Sequence, residues 1–407
     1  MSTLTSREAA ARLGVKRATL YAYVSRGLIT RRIGPDGRTS RFDPAEIDAL
    51  RQGRRAGDDE GEIRTSIATA ITRVDDQRLT IRGLDLVAAI DDGLGFTEVV
   101  DLLWESPPGE QWPSADEVGS AGSHPALVAE VAQRSPLDAL RRITAERSAA
   151  DPLRHDRSPS AVRAAGRSLI VALTHGLPPA LDEGAADDTD STDSTDSTDG
   201  IATALWRRLT TQPLDRERID TVDLAMALLV DHGLAGSTLA ARIAASVRAD
   251  PYSVVQAGLG VLGGTLHGAA SGSVHELFAT AERTGDAAAA VGELHRRVDH
   301  VPGFGHAVYR DQDPRYGALM SRIVSAWGDD PRLVIVYRVR DLVSQRGGSF
   351  PNVDLALGAL SYLGEMPAEA GEVLFAIART AGWLAHALEE YGEKPLRFRA
   401  RATYVGP

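Results

Sequence analysis

Residues 301 to 315 read VPGFGHAVYRDQDPR. His306 follows a Gly-Phe-Gly bend, and Arg310 and Arg315 come within ten residues of it. An imidazole can give or take a proton near neutral pH, and a guanidinium meets a carboxylate or phosphate through a planar fork. A loop that needed only to turn has no use for that set. Two further islands carry comparable chemistry. GLGVLGGTLHGAASG, 258–272, sets His267 among glycines. Such a stretch speaks against one long regular helix and lets a backbone or ligand approach closely. FPNVDLALG, 350–358, sets Asp354 among apolar residues, where a carboxylate is costly unless paired or used. Each also fits a plainer role: a histidine beside glycine as a hydrogen-bonded structural residue, and Asp354 as a helix N-cap. A metal site at His295, His300 and His306 is not expected, because spacings of 5 and 6 do not stack ligands on one helical face.

The elements that must position these groups read mostly as helices. TVDLAMALLVDHG, STLAARIAASVRA and EAGEVLFAIARTAGWLAHALEEYG are rich in Ala and Leu. In the last, Leu374, Ile377, Ala378, Ala381, Leu384, Ala385 and Leu388 form an apolar stripe. Few segments outside the N-terminus alternate as strands do, so the expectation is an all-α body of closely packed helices.

The first 56 residues form a separate expectation. TSREAAARLGV opens with a Ser/Thr cap and ends a helix at Gly14. KRATLYAYVSRG makes a second helix closed by Gly27, and LITRRIGPDGRTSRF alternates around a Pro-Asp-Gly turn. DPAEIDALR starts a last helix with Asp43 as cap and Pro44 at its first position. The pattern resembles the winged helix-turn-helix of mercury-resistance-regulator and excisionase-type proteins. Lys16, Arg17, Thr19 and Tyr21 would then face a major groove, with Arg31, Arg32, Arg38 and Arg41 on the wing meeting phosphates. A helical module for protein contact is the alternative.

Composition sets the bounds. The chain has 407 residues, 43% of them hydrophobic, enough for more than one domain. No apolar run is long enough to span a membrane, and the N-terminus lacks an apolar signal core. Without a single cysteine, disulfides, thiolate zinc sites and thiol nucleophiles are excluded. A cytoplasmic location is expected. Residues 1–55 carry twelve Lys and Arg against five Asp and Glu, a net +7, which leaves −18 for the rest of a chain whose total is −11. Such asymmetry suggests separate jobs. Residues 57–63 read as a linker, and 183–200 as a disordered acidic loop that lacks the Gly and Glu of a calcium loop.

Read in order, RLTIRGLDLVAAIDDGLGFTEVVDLLWE, DHGLAGSTLAARIAAS, GGTLHGAASGSV, VPGFGHAVYRDQDPR, FPNVDLALG, LFAIARTAGWLAHALEEY and RARATYVG resemble the signature blocks of the citrate synthase family. The resemblance runs from about residue 64 to 406. It implies a large helical domain, 64–269 with 361–407, and a small one, 270–360, that closes over it, with the glycines around His267 near one hinge. It implies that Asp354 removes a proton from an acyl-CoA, that His267 steadies the resulting enol or enolate oxygen, and that His306 polarises the ketone of oxaloacetate. His232, Arg315 and Arg379 would hold oxaloacetate, with Arg399 arriving from a second subunit. Arg310, Gly303 and Gly305 would lie toward CoA. No cofactor is implied beyond the acyl-CoA substrate, and the partners implied are oxaloacetate, acyl-CoA and a second copy of the chain, with DNA for the N-terminal unit. Acetyl-CoA is favoured, propionyl-CoA (a 2-methylcitrate synthase) is the alternative, and a DNA-binding regulator that senses either ligand is the alternative of another class. HGAAS replaces the usual HGGAN and HGLAGST the usual HE.NAST, which bears on acyl choice and turnover more than on fold.

Overall fold

The computed structural model describes residues 3–25, 29–33, 39–44, 46–48, 66–75, 77–119, 124–180, 200–264, 267–298, 300–306, 308–347 and 349–399. The chain divides into two compact units, Met1–Ala68 and Thr69–Pro407.

In the first unit, β1 (Leu4–Thr5) leads directly into α1 (Ser6–Leu13). Thr5 caps α1: its hydroxyl accepts from the Glu8 N–H, and the Glu8 carboxylate accepts from the Thr5 N–H at 2.7 Å. This reciprocal pair satisfies two donors that a helix start leaves unpaired. Gly14 ends the helix at φ +66°, a left-handed conformation that glycine adopts without steric cost. After α2 (Arg17–Ser25) come β2 (Arg32–Ile33) and β3 (Ser40–Phe42), and the antiparallel sheet has the order β1-β3-β2. Ala9, Ala10, Leu13, Leu20, Ile29, Phe42 and Ile47 make the core. Asp43 starts a last helical turn by accepting from the Ile47 N–H at 3.1 Å. Gly27, the turn at 35–37, Arg38, the linker, and the acidic run up to residue 199 lie outside the described residues.

The second unit begins with a sheet that the alternation pattern did not announce. β4 (Thr72–Val74), β5 (Leu79–Ile81) and β6 (Leu84–Asp85) pair antiparallel in that order. The strands are two or three residues long and carry Arg73 and Arg78 at their edges, so no window long enough to show period 2 exists. Ile71, Leu79 and Ile81 pin the sheet to the helical core.

The helices follow as α3 (Leu86–Asp91), α4 (Phe96–Leu103), α5 (Ala115–Val118), α6 (Pro125–Arg134), α7 (Pro136–Ala150), α8 (Pro159–His175), α9 (Ile201–Leu209), α10 (Arg216–Leu229), α11 (Gly236–Ser246), α12 (Pro251–Leu262), α13 (Ala270–Thr284), α14 (Ala287–Leu294), α15 (Pro314–Ala326), α16 (Leu333–Gly347), α17 (Val353–Leu363) and α18 (Ala370–Gly392). The body is therefore all-α apart from the small sheet. α18 is the axle. Its apolar stripe is only part of the buried surface, because Val373, Ala376, Arg379, Thr380, Trp383, His386 and Glu390 are buried as well. Helix α12 packs against it at Gly258, where a Cβ would collide with the Trp383 indole. Glycine at 258 thus serves close helix packing, and α12 runs through it before stopping at Gly263. The glycine-rich stretch holds the end of one helix and the start of the next, with His267 in the break between them.

Candidate active site

Six elements deliver the polar groups singled out above. His232 sits in the turn between α10 and α11, His267 between α12 and α13, and His306 in the loop before α15. Arg315 lies in the first turn of α15, Asp354 in the first turn of α17, and Arg379 in the middle of α18. The His306 loop is stitched to the start of α17. The Gly305 N–H donates to the Phe350 carbonyl at 2.7 Å, and the Asn352 N–H to the Gly303 carbonyl at 2.9 Å. The Asn352 amide adds a bond to the Gly305 carbonyl at 2.8 Å. Gly303 has φ +86° and lies against Val274 and Leu355, where a Cβ would come within 2.8 Å of the Val274 side chain. Asn352, not Asp354, caps α17: its side-chain oxygen accepts from the Asp354 N–H at 3.0 Å. The Asp354 carboxyl is therefore released from capping.

The imidazoles are fixed by neighbours the sequence reading did not name. His306 Nδ1 accepts from the N–H groups of Val308 at 3.0 Å and Tyr309 at 3.2 Å. A neutral His306 must then carry its proton on Nε2, ready to donate. His232 Nε2 is 2.9 Å from the Tyr309 hydroxyl, and the His232 and His306 rings meet edge to face with centroids 5.0 Å apart. His267 Nε2 is 2.9 Å from the Ser237 hydroxyl, and its ring meets Phe375 edge-on at 6.0 Å. The Arg379 guanidinium lies over the same Phe375 ring, 4.5 Å from its centroid.

Two buried arginines organise the charge. Arg315 is held by Asp313, which accepts from its Nε at 3.0 Å and its Nη2 at 2.8 Å. Asp313 also accepts from the Val353 N–H at 3.0 Å, so it ties α15 to α17. Arg379 is 1% exposed; its Nε donates to the Leu229 carbonyl at 2.9 Å, while Nη2 is buried with no hydrogen-bond partner among the described residues. An unpaired charged donor in the interior is expensive, and a carboxylate ligand would satisfy it through a charge-assisted bond.

These charges act on one another. Arg379 bears on His267, His232 and Arg315, and Arg315 bears on His232, His306 and Asp354. Burial lowers the proton affinity of His267, with Arg379 adding to the effect. Burial also lowers that of His306, reinforced by Arg315 and opposed by Asp313, and that of His232, reinforced by both arginines. All three rings are neutral at pH 7 on this account. Burial drives Asp354 the other way, to about 6; Arg315 opposes the rise and Asp313 supports it. Burial brings Arg379 down to about 10 against the pull of Asp231, still fully charged. The set comprises a basic carboxyl, three neutral imidazoles and two cations, which suits proton abstraction beside a polarised carbonyl in an anionic substrate.

His232, His267, His306, Arg315, Asp354 and Arg379 are thus brought into one connected cluster, with Gly303 and Gly305 shaping its loop. Arg310 and Arg399 are exposed. Asp231, Ser237, Tyr309, Asp313 and Phe375 were missed by sequence reasoning; only Asp313 had a local signal, as the cap of an Asp-Pro helix start. In the first unit Lys16, Arg17 and Arg31 are exposed and Thr19 half-buried. Tyr21 is drawn inward: its hydroxyl is 3.0 Å from Ser6 Oγ and donates to Ser40 at 3.2 Å, while Arg31 stacks over its ring. Among the described residues no three His, Asp or Glu side chains are grouped to hold a metal.

Comparison with known proteins gives this arrangement its context. A family model for "Citrate synthase, C-terminal domain" matches residues 64–401, and one for a helix-turn-helix domain matches 3–55. Citrate synthase of Haloferax volcanii is 34% identical over 191 residues, 46% of this chain and 50% of that protein. The chain spans about half the length of the citrate synthases it matches in this way. 2-Methylcitrate synthase 1 of Corynebacterium glutamicum is 26% identical over 83% of this chain and 92% of its own length. Citrate synthase of Thermoplasma acidophilum, solved as a ternary complex with carboxymethyl coenzyme A and oxaloacetate, shares the fold at a TM-score of 0.62 and 23% identity, covering 86% of this chain and 96% of that one. With its residues 64–401 matching that family model, this protein is a member of the citrate synthase family.

Proposed function

We propose that the protein condenses an acyl-CoA, acetyl-CoA in the first place, with oxaloacetate to give citrate and CoA. The observation that carries this reading is the joining of Asp354, His267 and His306 to two buried arginines in one electrostatic cluster. The Asp354 carboxylate takes a proton from the carbon next to the thioester. With the Ser237 hydroxyl donating to Nε2, neutral His267 keeps its proton on Nδ1 and hydrogen-bonds the thioester oxygen as it becomes an enolate. The enolate carbon then attacks the oxaloacetate ketone, whose oxygen takes a hydrogen bond and then a proton from His306 Nε2. Water finally cleaves the citryl thioester, releasing CoA as a thiol. Arg315, Arg379 and Arg399 of the partner subunit hold the carboxylates, and Arg310 with the glycine loop faces CoA. Closure of the small domain, 270–360, over 64–269 with 361–407 excludes water from the enolate.

A homodimer belongs to the same proposal, supported by exposed Ile243 on α11, exposed Val247 just past its end, and exposed Leu396, whose N–H donates to the Ser246 carbonyl at 2.9 Å. So does a cytoplasmic location; among the described residues no helix is long and apolar enough to cross a membrane. Thiol release from acetyl-CoA or propionyl-CoA, required to depend on oxaloacetate, tests the enzyme and its acyl preference together. One methylene alters binding by only about 1–3 kcal/mol, so the 2-methylcitrate reaction is the alternative such an assay decides. The helix-turn-helix match favours a second activity, DNA binding through Lys16, Arg17, Thr19 and the wing, Arg31 and Arg38 included. Failure to retard genomic fragments at low salt would remove it.

A further inference from the structure

Beneath the cluster runs a chain of buried polar groups that the reaction above does not use. Asp231, Arg242, His386 and Glu390 are each fully buried. His386 lies between the first two: its Nδ1 is 2.9 Å from Arg242 Nη1, and its Nε2 is 3.3 Å from Asp231 Oδ2. Arginine has donors only and keeps its charge, so Nδ1 must accept and the ring proton must sit on Nε2, facing Asp231.

Asp231 in turn lies between the two halves of the candidate oxaloacetate site, hydrogen-bonded in the His232 turn and packed with Arg379 against Gly382. Its Oδ2 accepts from the Gly233 N–H at 3.1 Å, a turn that spans His232, and Gly233 takes φ +67° to complete it. Its Oδ1 and the Arg379 side chain both lie against Gly382, where a Cβ would come within 2.8 Å of the carboxylate and 3.2 Å of Arg379 Cδ. The Asp231 charge favours the protonated form of Arg379 against burial and the repulsion of Arg315. At the other end, Arg242 donates to Glu390 Oε2 at 3.1 Å, and Glu390 accepts from Arg397 at 2.7 and 2.6 Å. Arg397 stands two residues before Arg399.

We propose that His386 is a positioning residue: its Nε2–H fixes Asp231 under His232 and Arg379, while Arg242 and Glu390 carry the same constraint to the segment bearing Arg399. One buried chain therefore sets the His232 and Arg379 end of its own clamp and steadies the segment whose Arg399 this protomer lends to the partner subunit. The inference rests on the oxaloacetate reading proposed above.

The test is the dissociation constant of oxaloacetate, measured by calorimetry on the full chain without CoA. In His386→Gln the side-chain amide reaches the Nε2 position and can donate to Asp231; in His386→Asn it reaches only the Nδ1 position. Loss of one buried charge-assisted bond corresponds to about tenfold, so H386N is expected to weaken oxaloacetate about tenfold and H386Q to stay within about threefold of wild type. A structural role alone would lower both melting temperatures and leave both constants unchanged. Equal affinities for H386N and H386Q overturn the proposal. Should H386N not fold, Arg397→Ala, at the partly exposed end of the chain, must still weaken oxaloacetate about threefold, and an unchanged constant overturns the proposal. A wild type that binds no oxaloacetate would instead remove the reading on which the relay rests, and the relay with it.

Discussion

Asp354 should make the protein less stable at neutral pH than an uncharged residue would. Its carboxyl is raised from 3.8 to about 6, chiefly by burial. A group whose folded pKa is raised favours the folded state while protonated, and that advantage is lost as pH rises between the two values. Two pK units correspond to about 3 kcal/mol of strain above pH 6, shrinking to under about 1 kcal/mol at pH 4. Asp354→Asn removes the charge and keeps the shape, and the α17 cap is untouched because Asn352 supplies it. Urea denaturation at fixed protein concentration should show D354N more stable than wild type by about 2–3 kcal/mol at pH 8, with the gap shrinking to about 1 kcal/mol at pH 4.5. The same variant should lose the thiol-release activity. Equal stability at pH 8, or a gap that does not change with pH, would refute the claim that this carboxylate is held ionised against its surroundings.

Three further outcomes follow from the same geometry. The kcat/KM profile of the wild type should rise with pH through about 6, where Asp354 ionises, with no imidazole limb above neutral pH because burial lowers the proton affinity of His267 and His306; a limb more than one unit higher would assign the base elsewhere. Ser237→Ala should lower kcat about tenfold with little change in oxaloacetate KM, since it frees the tautomer of His267 but not the anion clamp; an unchanged kcat would mean that the hydroxyl does not orient the ring. Gly258→Ala should destabilise by about 1–3 kcal/mol, because the new methyl group meets the Trp383 indole; a neutral effect in thermal melts would mean that the two helices separate freely.

Much of the site was legible because its residues stand where chain punctuation forces loops. Gly303, Gly305, Pro314 and Pro351 mark the bends around His306, Arg315 and Asp354, and glycines mark the break that holds His267. The side chains that orient them were not legible. His386 and Asp231 are 155 residues apart, and His267 and Ser237 are 30 apart, so no local spacing announces either pair. Tyr309 looks like an ordinary loop residue until the fold buries it, and the Asp-Pro start that marks Asp313 as a cap says nothing of its bonds to the Arg315 guanidinium. Tyr21 met the opposite fate: the helix-turn-helix resemblance set it toward a major groove, but its hydroxyl meets Ser6 and Ser40. The small sheet at 72–85 escaped because its strands are shorter than any periodic window. The long helix α18 showed only a stripe because its buried Arg379, His386 and Glu390 break the apolar pattern that full burial otherwise produces.

The central claim is that two neutral imidazoles and one high-pKa carboxyl group act together on an acyl thioester beside a bound dicarboxylate. Its most direct measurement is continuous thiol detection with purified full-length protein, acetyl-CoA or propionyl-CoA, and oxaloacetate added last. The account predicts that free CoA accumulates only after oxaloacetate is added, and that D354N abolishes the signal. Failure of oxaloacetate to release thiol from either acyl-CoA would contradict it.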